Sequence, residues 1–264
     1  MKQLIERTII GVILLVVNLG VVLSGSRTLL FCFFVLLSSV AIWELFACLD
    51  PENKGRNRAL TIIANFFFQY AAYRGVTEWL LASAIVFYIY LFMLSVIHPY
   101  REFEELFLTL FITIYITYFT SFVYLFPDRQ QHYLLLVYAV SWGSDTFAYL
   151  SGLLFGKTPL TAISPKKTKE GAGGGILGSI FLCTLLREFA MPEIPKMVMV
   201  LIAVFGSISA QMGDLFASRL KRKMGIKDFG TIFRAHGGVM DRYDSFQFAL
   251  PVVWLSYRLI TNVI

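Results

Sequence analysis

The 264-residue chain is poor in charged residues: Asp, Glu, Lys and Arg make up 15% of it, whereas hydrophobic residues make up 57%. Soluble domains carry roughly 25% charged residues, so this composition excludes an ordinary soluble domain and predicts that lipid replaces water around much of the chain. Cysteine is also scarce. Cys32, Cys48 and Cys183 lie in apolar segments without the paired spacing of a zinc site or a disulfide framework, and we expect them to be packing residues.

Apolar runs of membrane-crossing length recur along the whole chain. A helix needs roughly 20 mostly apolar residues to cross the hydrocarbon layer. The runs are continuous, whereas strands of a membrane barrel alternate apolar and polar residues in segments of about ten. We therefore predict an all-α, polytopic integral membrane protein with about nine transmembrane helices. The third run is short, so that helix is expected to be tilted, re-entrant or shared with its neighbour. The nine predicted spans are Leu4–Leu23, Leu29–Leu49, Ala59–Tyr73, Trp79–Ile97, Glu105–Phe126, Tyr133–Phe155, Ala172–Phe189, Lys196–Ala217 and Ser245–Val263.

The distribution of basic residues predicts the orientation of these spans, since Lys and Arg accumulate in short cytoplasmic loops. With nine spans, the N-terminus and every second loop share 17 of the 23 basic residues. The N-terminus is therefore expected in the cytoplasm and the C-terminus outside. This topology accounts for most of the net charge of +6, so we predict no nucleic-acid partner. The six basic residues on the other side are Arg27, Arg74, Arg129, Arg187, Lys196 and Arg258.

Polar residues are unevenly distributed between two parts of the chain. Residues 1–131 are rich in Phe and Leu and are expected to form a scaffold in contact with lipid. Residues 132–264 are expected to form the catalytic region, with cytoplasmic loops at 156–171 and 218–244. The first part contains one notable ionisable residue, Glu44, late in the second span. A carboxylate at depth usually has a partner, but a position near the lipid headgroups would explain Glu44 equally well.

The first polar cluster of the C-terminal region begins with Ser141–Asp145 in the sixth span, and Asp145 lies a little past the middle of the apolar run. A carboxylate there is more often functional or ion-paired than idle. The following loop, 156–171, contains four Lys and one carboxylate, which favours contact with an anionic ligand over simple cytoplasmic charge. The glycine-rich run at 171–175 lacks the spacing of a phosphate-binding P-loop, so we interpret it as a site of close packing between membrane helices.

The second cluster closes the eighth span, where Gln211, Gly213, Asp214 and Ser218 interrupt an apolar run. Asp214 and Ser218 are four residues apart and therefore share one face of the helix. Polar residues on one face near the cytoplasmic end predict a wet cavity between helices.

The third cluster, 218–244, is the most informative segment of the sequence. It contains seven basic residues, His236, a Gly-Gly pair and three carboxylates. A solvated charge run has no need of the His-Gly-Gly turn or of the Asp-Arg-x-Asp that follows it. Asp241 and Asp244 are at helical spacing, which can place two carboxylates on one face to hold a hard cation.

The third cluster closely resembles the signature of phosphatidate cytidylyltransferases, also called CDP-diacylglycerol synthases. That pattern runs Ser-x-x-Lys-Arg, four residues, Lys-Asp, a small residue two positions on, and His-Gly-Gly-x-x-Asp-Arg-x-Asp. The chain keeps this spacing over all 27 residues, and the resemblance extends upstream to about Trp142 through Asp145, residues 164–168 and residues 213–215. The matching residues are Ser218, Lys221, Arg222, Lys227, Asp228, Gly230, His236, Gly237, Gly238, Asp241, Arg242 and Asp244.

The chain departs from the family pattern just before the histidine. Members usually carry Pro or another small residue there, commonly followed by Gly, whereas this chain has Arg234-Ala235. Because a turn-setting residue is absent, we expect the loop that carries His236 to have an altered geometry.

The resemblance implies that phosphatidic acid attacks the α-phosphorus of CTP, giving CDP-diacylglycerol and pyrophosphate in phospholipid biosynthesis at the inner membrane, with the site facing the cytoplasm. Both substrates are polyanions, so cations are needed where charge collects in the transition state. The implied catalytic residues are Asp241, Asp214, His236, Lys221 and Arg222. The implied substrate-binding residues are Lys166, Lys167, Ser218, Lys227, Asp228, Gly237, Gly238, Arg242, Asp244 and Asp145.

The resemblance also implies magnesium, which accepts one or two carboxylates plus substrate phosphate oxygens. We expect Asp214 and Asp241 to be its ligands. The sequence leaves the number of ions open, and Asp145 or Asp244 would complete a site for a second cation. A phosphate monoester, with a second pKa of about 6, needs no general base at neutral pH. His236 is therefore expected to bind phosphate, to orient Asp241 or to form the turn.

Two other functions compete with this hypothesis. A CTP-dependent polyprenol or lipid kinase would transfer the γ-phosphoryl group and release CDP. An ion-coupled transporter would use Asp145 and Asp214 as coupling groups, but transporters often show repeated halves with interrupted helices, and here the polar residues crowd one half. The expected partners are CTP, phosphatidic acid and the membrane, and the resemblance alone implies a homodimer.

Overall fold

A computed structural model describes residues 2–50, 56–97, 103–126, 128–233 and 237–261, and within these ranges the chain is helical with no β-strand. Each predicted apolar run coincides with helical structure, which confirms the all-α prediction. Five described helices are long and apolar enough to cross a membrane: Arg27–Leu49, Glu78–Ile97, Glu104–Leu125, Lys169–Ala190 and Lys196–Lys223. These features are those of an integral membrane protein.

Most of the helices follow one another with short connections, but longer segments, 156–168 and 224–239, separate α7 from α8 and α9 from α10. Their bounds are α1 Lys2–Leu23, α2 Arg27–Leu49, α3 Arg56–Arg74, α4 Thr77–Ile97, α5 Phe103–Ile112, α6 Phe119–Ser121, α7 Leu134–Phe155, α8 Lys169–Ala190, α9 Lys196–Lys223 and α10 Met240–Thr261. A π-helical segment, Thr113–Tyr118, joins α5 to α6, and 3₁₀ turns follow at Phe122–Leu125 and Asp128–Tyr133. The fifth predicted span is therefore a composite of helix types rather than one α-helix.

The chain divides into two compact units. One comprises Met1–Pro127 and Phe229–Met240, and the other comprises Asp128–Asp228 and Asp241–Ile264. We call them the N-terminal and the C-terminal unit.

Helix α3 of the N-terminal unit explains why the third predicted span looked short. The helix has 19 residues, but Asn65 and Gln69 on it are buried and bond to other buried groups. Asn65 Nδ2 donates to Ser38 Oγ at 2.9 Å, and the Tyr124 hydroxyl donates to Gln69 Oε1 at 2.6 Å. The polar side chains of α3 are satisfied inside the protein, so the helix has a low mean hydropathy without exposing polar groups to lipid.

Helices α7 and α8 of the C-terminal unit pack closely through small residues. A Cβ atom at Gly178 would overlap the Phe147 ring, and one at Gly174 would overlap the Ser151 side chain. Around Gly173, in contrast, there is open space. Glycines let two helix backbones approach closely, which confirms that most of the run at 171–175 serves helix packing.

Large apolar side chains cover the outer surface of the C-terminal unit. Leu154, Leu177 and Phe189 are 71%, 68% and 83% exposed, respectively. Large apolar side chains exposed to this degree are suited to contact lipid.

Candidate functional site

The C-terminal unit contains a cavity of about 490 Å³ formed by α7, the 156–168 loop, the start of α8 and α9. Its lining contains both polar and apolar side chains. The apolar side chains include Tyr149, Leu153, Leu160 and Leu215. The polar side chains include Asp145, Lys166, Lys167, Thr168, Gln211 and Asp214. A cavity of this character, which the polar face of α9 predicted, can accept a molecule with an anionic head and an apolar tail.

Asp214 lies on α9 and lines the cavity. Its Oδ2 atom forms an ion pair with the Lys167 ammonium, and Ser218 Oγ lies 3.5 Å from Oδ1 one helical turn away. The side chains of Lys167 and Asp214 are 30% and 27% exposed, so both can be reached from the cavity. Sequence reasoning placed Asp214 and Ser218 on one face but did not identify which lysine pairs with Asp214.

The 156–168 loop is fixed by backbone hydrogen bonds, and this positions its two cavity lysines. The Leu160 N–H donates to the Lys167 carbonyl at 2.7 Å, and the Lys169 N–H donates to the Thr158 carbonyl at 2.9 Å. The Glu170 carboxylate accepts the N–H of Thr158 at 3.2 Å and that of Lys157 at 3.1 Å. The loop is thus closed on itself before α8 begins.

Thr168 caps the N-terminus of α8 by accepting the Gly171 N–H at 3.0 Å. Its extended backbone, with φ −119° and ψ 155°, is typical of a residue that precedes a helix. Because Thr168 also lines the cavity, this cap fixes the end of α8 that borders the cavity.

Asp145 and Asp244 are linked by Ser245, a residue that the sequence motif does not include. Ser245 Oγ donates to Asp145 Oδ2 at 3.0 Å, and the Ser245 N–H donates to Asp244 Oδ1 at 2.7 Å. Asp145 and Asp244 also interact electrostatically with each other and with Asp214. Three carboxylates therefore share one region, with Lys167, Lys221 and Arg242 as the neighbouring cations. The position of Ser245 directly after the motif was the only available signal for it.

Gln211 connects three elements beside the cavity. Its Nε2 atom donates to Ser144 Oγ at 3.2 Å and to the Ala172 carbonyl at 3.1 Å. It also lies 3.3 Å from Ser207 Oγ, and Ser207 is 2.8 Å from Ser144. This network ties α7, α8 and α9 together at the depth of Asp145.

Asp241 pairs with a different lysine from Asp214. Lys221 Nζ donates to Asp241 Oδ1 at 2.8 Å, and the two side chains are 14% and 1% exposed. Within the part of the chain that the structure describes, no group of three or more His, Cys, Asp or Glu side chains is arranged to hold a metal ion. The two expected magnesium ligands are each matched by a lysine instead.

The remaining predicted residues lie in several places. Arg222, Lys227 and Asp228 are exposed, and the described residues that line the cavity do not include them. Gly237 and Gly238 are buried in the N-terminal unit, and Gly237 has a positive φ of 78°, which favours glycine. His236 and the departure at Arg234-Ala235 lie outside the described residues.

Comparison with known proteins gives consistent matches over almost the whole chain. Residues 5–260 match the cytidylyltransferase family. A phosphatidate cytidylyltransferase of Staphylococcus saprophyticus is 34% identical over 253 residues, which cover 94% of this chain and 96% of that protein. A phosphatidate cytidylyltransferase of Bacillus subtilis is 30% identical over 268 residues, covering 98% of this chain and 99% of that protein. These matches confirm the resemblance seen in the sequence motif.

Proposed function

Because the chain belongs to the cytidylyltransferase family, we infer that it transfers the cytidylyl group of CTP to phosphatidic acid, giving CDP-diacylglycerol and pyrophosphate. The match with phosphatidate cytidylyltransferases over nearly the full length of the chain carries this conclusion. The cavity supports it, since Lys166 and Lys167 suit an anionic headgroup while Tyr149 and Leu153 suit the apolar part of a lipid. CDP-diacylglycerol is a precursor for phospholipids, so the reaction belongs to phospholipid biosynthesis.

The lysines of the cavity have a direct role in this chemistry. The phosphate oxygen of phosphatidic acid attacks the α-phosphorus of CTP, and the bond from that phosphorus to the bridging oxygen of pyrophosphate breaks. Lys166 and Lys167 hold the headgroup phosphate and offset negative charge as it builds up in the transition state. No proton needs to be removed from the attacking phosphate, which is mostly dianionic near neutral pH because its second pKa is about 6.

The remaining signature residues are assigned to CTP. Lys221, Arg222, Lys227 and Arg242 are candidates to contact its phosphates, with Ser218, Asp228, Gly237 and Gly238 as further contacts. His236 binds phosphate, orients Asp241 or forms the turn.

Magnesium is part of the proposal, with substrate phosphate oxygens supplying part of its shell. Asp145, Asp214 and Asp244 concentrate negative charge in one region, and magnesium needs only one or two carboxylates when phosphate oxygens complete its shell. Asp214 and Asp241 would hold the ion, with Asp145 or Asp244 available to a second cation. The ion would offset charge on the transferring phosphoryl group.

The proposed topology places nine spans in the inner membrane, with the N-terminus and the site on the cytoplasmic side. The distribution of basic residues supports it. Single cysteines at Lys166 and Arg187 in a cysteine-free background test the orientation in intact cells. The first should be protected from an impermeant maleimide, and the second should react. The reverse pattern would overturn the orientation.

Two further parts of the proposal rest on the sequence. Residues 1–131 act as scaffold and lipid contact, and residues 132–264 form the catalytic region. A homodimer is the expected assembly by family resemblance, and the mass of the purified protein in detergent, corrected for bound detergent, measures it.

Product identity tests the reaction. Purified protein is incubated with phosphatidic acid and magnesium, with either α-labelled or γ-labelled CTP. The proposed reaction places the α-label in lipid and the γ-label in pyrophosphate. Lipid labelled from the γ-position would show a kinase instead. If neither label left CTP for lipid or pyrophosphate, both enzymatic functions would be contradicted.

A further inference from the structure

Glu44 on α2 is a buried carboxylate that the proposed reaction does not use. It is 4% exposed and lies within the N-terminal unit together with Phe229–Met240. A buried carboxylate is costly unless hydrogen-bond donors surround it, so its partners indicate its role.

The partners of Glu44 are backbone groups far away in the sequence. Glu44 Oε1 accepts the Val239 N–H at 3.0 Å, and Oε2 accepts the Met240 N–H at 2.8 Å. Met240 is the first residue of α10, where backbone N–H groups lack partners within the helix. A carboxylate is also favoured at a helix N-terminus by the helix dipole. Glu44 thus acts as a cap that α2 supplies to another helix.

Two glycines of the signature, Gly230 and Gly238, also pack against the Glu44 carboxylate. A Cβ atom at Gly230 or at Gly238 would overlap Glu44 Oε1, so both positions require glycine while the carboxylate is in place. One turn further along α2, Cys48 Sγ donates to the Phe229 carbonyl at 3.1 Å. Within the signature segment, the Phe233 N–H donates to the Gly237 carbonyl at 2.9 Å. The stretch 229–240 is therefore bonded to α2 at its first residue, Phe229, and at its last two residues, Val239 and Met240.

We propose that Glu44 is a positioning residue for cytidylyl transfer, because its carboxylate holds the Gly238–Met240 backbone and so sets the position of Asp241, the next residue in the chain. This inference rests on the proposed function. Glu44 itself does not contact substrate. The space that its carboxylate occupies explains why the signature has glycine at position 238. The carboxylate in the second span thereby has specific partners, the N–H groups of Val239 and Met240.

A Glu44→Gln variant tests the proposal because it keeps the size of the side chain. The amide NH₂ of glutamine would face one of the two backbone N–H donors, so one of the two hydrogen bonds is lost. A misplacement of about 1 Å at a reacting group can slow a reaction by about 100-fold. We expect kcat per folded protein to fall about 10- to 100-fold, while KM for phosphatidic acid changes less than about threefold. Amide hydrogen exchange in a peptide that covers 237–240 should become faster.

The matched control is Gln69→Leu in the same unit. Gln69 is fully buried and hydrogen-bonded to Ser38 and Tyr124, so its replacement should lower the thermal midpoint. It should leave kcat per folded protein and exchange at 237–240 unchanged. If Glu44→Gln behaves like Gln69→Leu, with a lower midpoint and wild-type kcat, Glu44 is only structural and the proposal is wrong.

A double-mutant cycle with Gly230→Ala provides a second test that does not depend on one variant. In wild-type protein the added methyl overlaps the Glu44 carboxylate, so Gly230→Ala should lower kcat at least tenfold. In a Glu44→Ala background the same change should have less than a threefold effect. Equal effects in both backgrounds would overturn the proposal. Product formation by the wild-type protein in the same assay tests the cytidylyltransferase function separately.

Discussion

Lys221 donates a hydrogen bond to Asp241 with 2.8 Å between Nζ and Oδ1, and the Asp241 side chain is 1% exposed. The lysine belongs to the end of α9 and the carboxylate to the first turn of α10. This ion pair joins the C-terminal end of α9 to the first turn of α10, and the Lys221 ammonium compensates the negative charge of Asp241.

Removal of the Lys221 side chain should destabilise the protein, because its ion pair with Asp241 is buried. A Lys221→Met variant leaves the buried Asp241 carboxylate without its ammonium partner, and breaking a buried pair costs about 3–5 kcal/mol. We expect a clear drop in the thermal midpoint in a fixed detergent. The double variant Lys221→Met/Asp241→Leu should recover most of that loss and remain inactive. A single variant that unfolds at the wild-type temperature would contradict the importance of this pair.

Lys167→Ala should lower kcat by about 100-fold or more, the usual effect of removing one group that stabilises transition-state charge. Lys167 both pairs with Asp214 and lines the cavity. Lys169→Ala is the matched control, since Lys169 is exposed two residues away at the start of α8. It should change kcat less than about threefold. Similar losses in both variants would show that general positive charge, not the position of Lys167, matters.

Ser245→Ala should lower both stability and activity. Ser245 Oγ donates to the Asp145 carboxylate, and hydrogen bonds to charged groups contribute about 1.5–3 kcal/mol. Ser209→Ala removes a neutral bond to the Phe248 carbonyl at 2.7 Å, which contributes about 1 kcal/mol, and it should leave kcat unchanged. Thermal midpoints and steady-state rates of the two variants measure the difference. Equal effects on kcat would remove Ser245 from the site.

Glycine packing between α7 and α8 gives a prediction about stability alone. Gly178→Ala adds a methyl that overlaps the Phe147 ring, and overpacking of this kind costs about 1–3 kcal/mol. Gly173→Ala places a methyl in open space and should stabilise the helix by up to about 1 kcal/mol. The midpoint should therefore fall for the first variant and stay equal or rise for the second. A fall for both would mean that α8 is packed differently.

Much of the helical structure was predictable because a membrane helix requires a continuous apolar run. The run at 29–49 corresponds to α2, and the run at 196–217 corresponds to most of α9. The third span was harder to recognise because Asn65 and Gln69 are buried within the protein rather than exposed to lipid. Hydropathy reports composition and does not distinguish these two surroundings.

The polar face of Asp214 and Ser218 was also predictable, since helix periodicity determines which residues of one helix share a face. Periodicity does not determine which helices are neighbours. The pairing of Asp214 with Lys167 rather than Lys166, and the bridge from Ser245 to Asp145, depend on contacts between distant segments. The contact of Glu44 with Val239 spans 195 residues. The partner of Glu44 is a backbone N–H group, and residue type does not indicate which backbone group a side chain will bind.

The assignment of the cavity as the site of cytidylyl transfer is tested most directly by the rate of CDP-diacylglycerol formation in an Asp214→Asn variant, measured beside a Glu188→Gln variant. Asp214 lines the cavity, whereas Glu188 is an exposed carboxylate near the C-terminal end of α8. At saturating CTP and magnesium, Asp214→Asn should lower kcat by at least about 100-fold with a normal thermal midpoint, and Glu188→Gln should match the wild type. Wild-type kcat in folded Asp214→Asn would contradict the assignment of this cavity as the site of cytidylyl transfer.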